Sequence, residues 1–524
     1  MIVITAKRPM PPWLQAIAEP APSFRFSAPP PRPVEPPARK RVLLVAYSFP
    51  PVGGAGVQRP AKWVKYLQQF GWDVTVLTVE NPSVPLLDES LLQEIPASVQ
   101  IIKARTLEPG YRLKQAMIGS SHQATSTRAS QSQPTTRQPG IFRRMVARLL
   151  SFAKRCAKQC ATTLLQPDAQ RLWLPGAWKV ACQALEETPH DALLVTAPPY
   201  SSFLLGQKLA RKYHLPLILD YRDEWDLSSQ YLENSPGGWY ARFTQQRMQQ
   251  AVLKSASAVI ATTNASSEAL RGQLQSLGLN TPVETIYNGF DTTDFESVSA
   301  PESSSSTTDR PPALPPASTD RFRLVYTGTL WNLTDIQPVV RALELVCSQS
   351  PEIASKIELT VIGRKTPEQT QLLTRLAGLP CQIISRDYCP HAEVLGYQSQ
   401  ADSLLLLLSD VPGAERVVPA KLFEYLATRK QILAVVPAGE TAQIVRTFHA
   451  RSHFPPGDPQ SIANWLIEQV HLKTTTTSSV ASSFPEEELL AYSRSRQTAQ
   501  LAKLLTEVCA MQGSQGLQRA RGAV

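Results

Sequence analysis

The sequence predicts an α/β protein built from two doubly wound halves that face each other across a cleft. Three observations carry this. Short Val-, Ile- and Leu-rich runs recur along the 524 residues, each closed by Gly, Pro or Asp and followed by a helical pattern. Strands this uniformly apolar belong in parallel sheets covered by helices on both faces. A Ser- and Pro-rich stretch over 297–320 then splits the ordered chain into two parts with the same grammar.

Residues 1–38 contain Pro29 to Pro31 and Pro36-Pro37 and read as a proline-rich arm without a packed core. The first half, 39–296, has strand candidates at 41–46, 73–79, 98–104, 191–197, 215–220, 257–262 and 283–287. It is interrupted by a Ser/Thr/Gln-rich insertion over 119–139. The second half, 321–483, has candidates at 322–327, 356–362, 381–385, 402–408 and 431–436. A C-terminal helix follows within 484–511, and 512–524 reads as a tail. In such sheets ligands bind beyond the carboxyl ends of strands, so the loops that follow strands are where chemistry is expected.

Composition narrows the function classes. No stretch approaches the ~20 apolar residues of a bilayer span, and the densest run, Leu404 to Leu408, suits a buried strand. The first residues carry Lys and Arg without the apolar region of a signal peptide. Seven scattered cysteines without a CxxC pair suit a reducing cytosol, and Cys156 and Cys160 lack partners at zinc spacing, so no metal is expected. The formal charge of +10 is matched by one segment, 109–167, which holds ten Lys/Arg and no Asp/Glu. Charge concentrated this way, without a reader motif, argues against nucleic acid. Within it, Ile141, Met145, Leu149, Phe152 and Cys156 alternate with basic residues at helical spacing. The stretch 141–158 therefore reads either as a contact with an anionic membrane surface or as an ordinary solvated helix. None of the seven histidines sits in a metal-binding motif.

Three segments have the composition of a site. The first, after the opening strand, contains Gly53, Gly54, Gly56 and Arg59 and leads into a helix. Glycines there let backbone N–H groups approach a phosphate or an acceptor, whereas the plain alternative is a surface loop. Arg59 stands where a dinucleotide-binding fingerprint needs its third glycine, which excludes that reading. The second, 215–226, delivers Asp220, Arg222, Asp223 and Glu224 at the end of an apolar strand. Arg222 and Asp223 are the candidate catalytic pair, for phosphate and for sugar hydroxyls, against an internal Arg–Asp ion pair. The third, 415–427, places Glu415 and Arg416 before a Pro419 helix start, with Lys421 and Glu424 one turn apart. A carboxylate there can hold a ribose diol while Lys421 and Arg416 meet the attached diphosphate, or the two form a surface salt bridge.

These residues resemble the GT-B-fold glycosyltransferases, in particular the large retaining family 4 group and its branch tied to surface-polysaccharide assembly. The resemblance rests on Pro419 to Ala427 (PAKLFEYLA), Pro50 to Gly54 (PPVGG), Thr196 to Ser202 (TAPPYSS), Tyr287 to Asp291 (YNGFD) and Tyr326 to Gly328 (YTG), in that order. It covers most of 40–296 and 320–511. It implies a nucleoside-diphosphate-sugar donor on the second half, contacted by Glu424, Lys421, Arg416, Glu415, Gly328 and Arg364. It also implies a glycan or lipid-linked acceptor on the first half, no cofactor and no metal. The location it implies is cytoplasmic, at the inner face of the plasma membrane. The C-terminal helix is expected to cross back to the first half. Three departures stand out: Arg416 occupies the place of the first of two glutamates, the usual Arg and Lys after the first strand of the second half are absent from 328–334, and Arg222-Asp223 stand where a histidine is common. A nucleotide-sugar epimerase and a non-catalytic scaffold on the same fold are the alternatives.

Overall fold

The computed structural model describes residues 39–84, 87–111, 165–227, 238–299, 320–475 and 484–522. The proline-rich arm, the 119–139 insertion, the basic 141–158 stretch and the centre of the 297–320 linker lie outside the described residues.

All twelve expected strands form. The first lobe holds β1 (Lys40–Val45), β2 (Trp72–Val79), β3 (Gln100–Ala104), β4 (Ala192–Ala197), β5 (Leu217–Tyr221), β6 (Ala258–Ala261) and β7 (Val283–Thr285). The second holds β8 (Phe322–Thr327), β9 (Ile357–Ile362), β10 (Gln382–Arg386), β11 (Ser403–Leu407), β12 (Gln431–Val435) and a two-residue β13 (His453–Phe454), too short to leave a sequence signal. The sheets run in the orders 3-2-1-4-5-6-7 and 10-9-8-11-12-13, with every paired strand parallel.

The apolar strand sequences follow from this arrangement. Each residue of β4 and of β11 is buried, because helices cover both faces of the sheet. The edge strand β10 is largely open, and its sequence, QIISR, is correspondingly mixed. The strand order reverses between β1 and β4, and between β8 and β11. Crevices open at such reversals, so the loops after β1 and β8 are placed to line a site.

One long C-terminal helix is expected; two form, Glu486–Leu490 and Arg494–Gly522, the second continuing through the residues that read as a tail. The break has a local cause. Phe290 pairs with Ser493 as an isolated bridge: its N–H donates to the Tyr492 carbonyl at 3.2 Å, and its carbonyl accepts from Arg494 N–H at 2.8 Å. Those backbone groups are spent between segments rather than within a helix. Beyond the break the helix returns to the first lobe, where Leu501 and Leu505 are fully buried in one cluster with Val42, Leu44 and Trp63. Truncation of a fully buried leucine removes transfer free energy and leaves a cavity. Leu505→Ala should therefore lower the stability of the first lobe by about 2–5 kcal/mol, read as a shifted denaturation midpoint. A change under about 0.5 kcal/mol would mean that the crossing helix is not part of that core.

Candidate functional site

The loops after β1, β5, β8 and β9 and the helix Lys421–Ala427 line three adjoining crevices, two between the lobes and one within the first. The crevice around Glu424, about 230 Å³, takes Gly54 and Gly289 from the first lobe and Gly328, Gly363, His391 and Lys421 from the second, with Arg494 from the crossing helix. A second, of about 350 Å³, lies between Gly56, Arg222, Asp223 and Glu224 on one side and Trp331, Arg416 and Pro419 on the other. A third, of about 270 Å³, is set wholly in the first lobe and lined by Tyr47, Gly56, Asp168, Tyr200, Arg222 and Trp225.

Glu424 sits in the first turn of its helix with about 24% of its side chain exposed. Leu422, Phe423, Tyr425 and Leu426 around it are fully buried, which fixes the helix face. Its Oε1 lies 3.2 Å from His391 Nε2. Burial alone would raise the Glu424 carboxyl; the His391 contact and then the Arg494 charge outweigh it and hold the carboxyl below its ordinary range. Lys421, one turn earlier, donates from Nζ to the Tyr326 hydroxyl at 2.9 Å. Burial pushes its ammonium down, with Tyr425 and Glu424 opposing. No described carboxylate lies within ion-pair distance of it.

The backbone after β8 and β9 is unusually close to these groups. Gly328 and Gly363 have φ of 120° and 124°. A Cβ on Gly328 would lie 2.6 Å from Lys421 Nζ, and one on Gly363 would lie 2.3 Å from the Gly328 carbonyl oxygen. Only glycine permits both the left-handed backbone and the approach.

The remaining candidates separate into groups. Arg59, 1% exposed, ion-pairs with Asp220 at 2.9 Å and donates to the Tyr287 carbonyl at 2.8 Å. It is therefore spent inside the first lobe, at the wall of the second crevice. The internal Arg–Asp pair weighed for Arg222 thus forms with Arg59. Arg222 instead grips the carbonyl oxygens of Gly56 and Pro198 and, at 3.3 Å, that of Ala197. Asp223 is exposed at the edge of the same crevice. Arg416 reaches across the lobes to Glu224 at 2.8 Å, and its carbonyl accepts from Thr263 Oγ1 at 3.0 Å. Glu415 and Arg364 are exposed and line none of the three crevices. Gly54 and Gly56 line them; Gly53 does not.

Sequence reasoning missed His391, Arg494 and Asp168. His391 and Arg494 carry no motif, and only the fold brings them beside Glu424. Asp168 is buried under the wall of the first-lobe crevice, with Oδ2 accepting from Ser201 N–H at 3.0 Å and Oδ1 without a partner. Burial pushes its carboxyl up to about 6.

Two pH effects follow, of opposite kinds. Burial lowers the His391 imidazole, but Glu424 outweighs it and the folded ring keeps its proton above the ordinary range. Its contribution to stability is thus complete below about pH 6.5 and is lost as pH rises through the folded value. His391→Gln should cost more stability near pH 5.5 than near pH 8.5, measured by thermal unfolding; an equal cost at both would contradict the pairing. For Asp168 the folded state takes up a proton between about pH 4 and 6 that the unfolded chain does not, so stability falls through that window. Asp168→Asn should stabilise the protein by up to roughly 3 kcal/mol at neutral pH and be nearly neutral near pH 4. Destabilisation at neutral pH would refute the assignment.

Residues 53–289 match a family model described as a glycosyl transferase 4-like domain. No curated protein matches the chain. Among solved structures, a UDP-forming α,α-trehalose-phosphate synthase from Burkholderia vietnamiensis has a TM-score of 0.54 at 11% identity, covering 90% of this chain and 100% of its own. The N-terminal domain of Candida albicans trehalose-6-phosphate phosphatase scores 0.53 at 13% identity, covering 89% and 97%. HepE of Anabaena, solved with UDP and glucose, scores 0.52 at 15% identity, covering 90% and 100%. At these identities the likeness concerns the fold. A glycosyl transferase 4-like domain thus occupies the first lobe, and the two doubly wound lobes facing each other across a cleft have the GT-B fold.

Proposed function

We propose that the protein transfers a glycosyl group, with retention, from a nucleoside-diphosphate sugar to a hydroxyl of a glycan or lipid-linked acceptor in polysaccharide assembly. The observation that carries this is the Glu424 carboxylate facing the interlobe crevice beside Lys421, with glycine-tight backbone after β8 and β9 as the floor. Glu424 accepts hydrogen bonds from the two hydroxyls of the donor ribose. Lys421, not neutralised by any described carboxylate, faces the diphosphate.

In the transfer, the bond between the anomeric carbon and the phosphate oxygen breaks as the acceptor oxygen bonds to that carbon on the same face. The acceptor proton passes to the departing phosphate oxygen, so no further base is needed. Positive charge fixed in place stabilises the leaving diphosphate without reorganising during the step. Asp223, exposed at the edge of the second crevice, orients the acceptor hydroxyl in this reading, and Arg222 holds the two loops that shape that wall.

Calorimetric titration with UDP- and GDP-sugars tests the donor site. The wild-type protein should bind one series, and Glu424→Ala should weaken it by roughly 10–100-fold, the loss of hydrogen bonds to a charged group. Unchanged affinity in that variant would remove the ribose assignment. Turnover of the donor with no acceptor present, giving an epimerised nucleotide sugar, would replace transfer with the epimerase alternative.

A further inference from the structure

The strand-β8 loop of this chain, GTLWNLT over 328–334, carries no cation, yet a nucleoside diphosphate brings two to three negative charges into the crevice. From the geometry we infer that Arg494, at the head of the crossing helix, supplies the missing charge: it is a diphosphate-binding residue delivered to the donor site by the C-terminal segment. This rests on the donor reading above and assigns a residue to it.

Four observations lead there. Arg494 lines the Glu424 crevice while being only 4% exposed. Among the described residues no carboxylate lies within ion-pair distance of its guanidinium, whose one side-chain contact is a long 3.4 Å hydrogen bond from Nη1 to Gln497 Oε1. Glu424, Asp291 and Asp294 attract it from beyond ion-pair distance, but burial outweighs them, and an anion bound in the crevice would meet the guanidinium directly. Burial, with the Arg59 charge adding to it, pushes the group down to about 9, so it remains a cation at neutral pH.

The position is fixed rather than incidental. Arg494 N–H donates to the Phe290 carbonyl at 2.8 Å, locking the residue to the segment that leaves the first lobe. Gln497 donates to the Asn288 carbonyl at 2.9 Å. A Cβ on Gly289 would lie 2.0 Å from the Tyr492 carbonyl oxygen, so the two segments touch backbone to backbone. Arg494 and Lys421 thus face one crevice from different elements. The other cations of the cleft are engaged elsewhere: Arg59 pairs with Asp220 and Arg416 with Glu224, while Arg222 spends its donors on three carbonyl oxygens and is attracted by Asp223 and Asp220.

The experiment is a calorimetric comparison of nucleoside, nucleoside monophosphate and nucleoside diphosphate, in the uridine and guanosine series, on wild type, Arg494→Gln, Arg494→Lys and Glu424→Ala. Arg494→Gln should weaken the diphosphate by roughly 10–100-fold and leave the nucleoside unchanged, with Arg494→Lys in between. Glu424→Ala should weaken all three. The ligand-free Arg494→Gln protein should unfold at or above the wild-type temperature, because a charge whose burial outweighs its attraction to Glu424, Asp291 and Asp294 has been removed. Equal loss for nucleoside and diphosphate, no loss at all, or a ligand-free variant that is markedly destabilised would overturn the assignment of Arg494 while leaving the donor reading standing. A wild-type protein that binds no nucleotide in either series would overturn both.

Discussion

The buried ion pair between Arg59 and Asp220 is the contact on which the architecture of the cleft depends. Asp220 is the penultimate residue of β5 and is wholly inaccessible. A carboxylate there is tolerable only because Arg59 meets it at 2.9 Å and Thr196 Oγ1 donates to its other oxygen at 2.7 Å. Arg59 also stacks over Trp63 at 4.4 Å and holds the Tyr287 carbonyl. One guanidinium therefore joins the helix after the glycine loop, the end of β5 and the segment that leads out of the first lobe. Loss of either charge would strand the other where water cannot reach it.

Around that anchor, the lobes are held together by charges that meet backbone as well as charges that meet each other. Glu440 of the second lobe accepts from the N–H groups of Asn264 and Ala265 at 2.8 and 2.9 Å, capping a first-lobe helix from outside its own domain. A carboxylate at a helix N-terminus satisfies donors that no intrahelical partner reaches and is favoured by the helix dipole. The Tyr287 hydroxyl donates to the same Glu440, and Arg416 reaches Glu224 beside it. The place of the first glutamate in the family pattern thus holds an arginine that fastens the lobes in this arrangement.

The fold was legible in the sequence because its determinants are local and repeated. An apolar run such as Leu404 to Leu408 has few other destinations than a covered parallel strand, and Pro419 stands two residues before the helix that begins at Lys421. Glu424 was legible for the same reason, since its motif is contiguous. Arg59 was singled out as a site residue and lies inside an ion pair, because its partner is 161 positions away and no spacing rule encodes that distance. His391 and Arg494 reach Glu424 from 33 and 70 residues away along the chain, through a strand order and a crossing helix that composition does not specify. β13 is two residues long and leaves no periodicity to detect.

The division of cations in the cleft follows from how each is anchored. Arg59 and Arg416 are planar forks set against carboxylates, which compensate their charge, whereas Arg222 spends its donors on carbonyl oxygens. Lys421 and Arg494 stand against an aromatic hydroxyl and an amide, groups that accept a hydrogen bond without neutralising anything. Burial weakens the protonated form of both, yet the fold keeps them: Gly328 leaves room for the ammonium with no side chain of its own, and the Phe290–Ser493 bridge holds the guanidinium in place. Glu424 attracts both cations without ion-pairing to either, and burial still outweighs it, so an anion bound between them would stabilise the crevice. Under the proposed transfer, the same two groups would already be oriented when negative charge grows on the departing phosphate, and that is the condition under which a fixed charge accelerates a transfer.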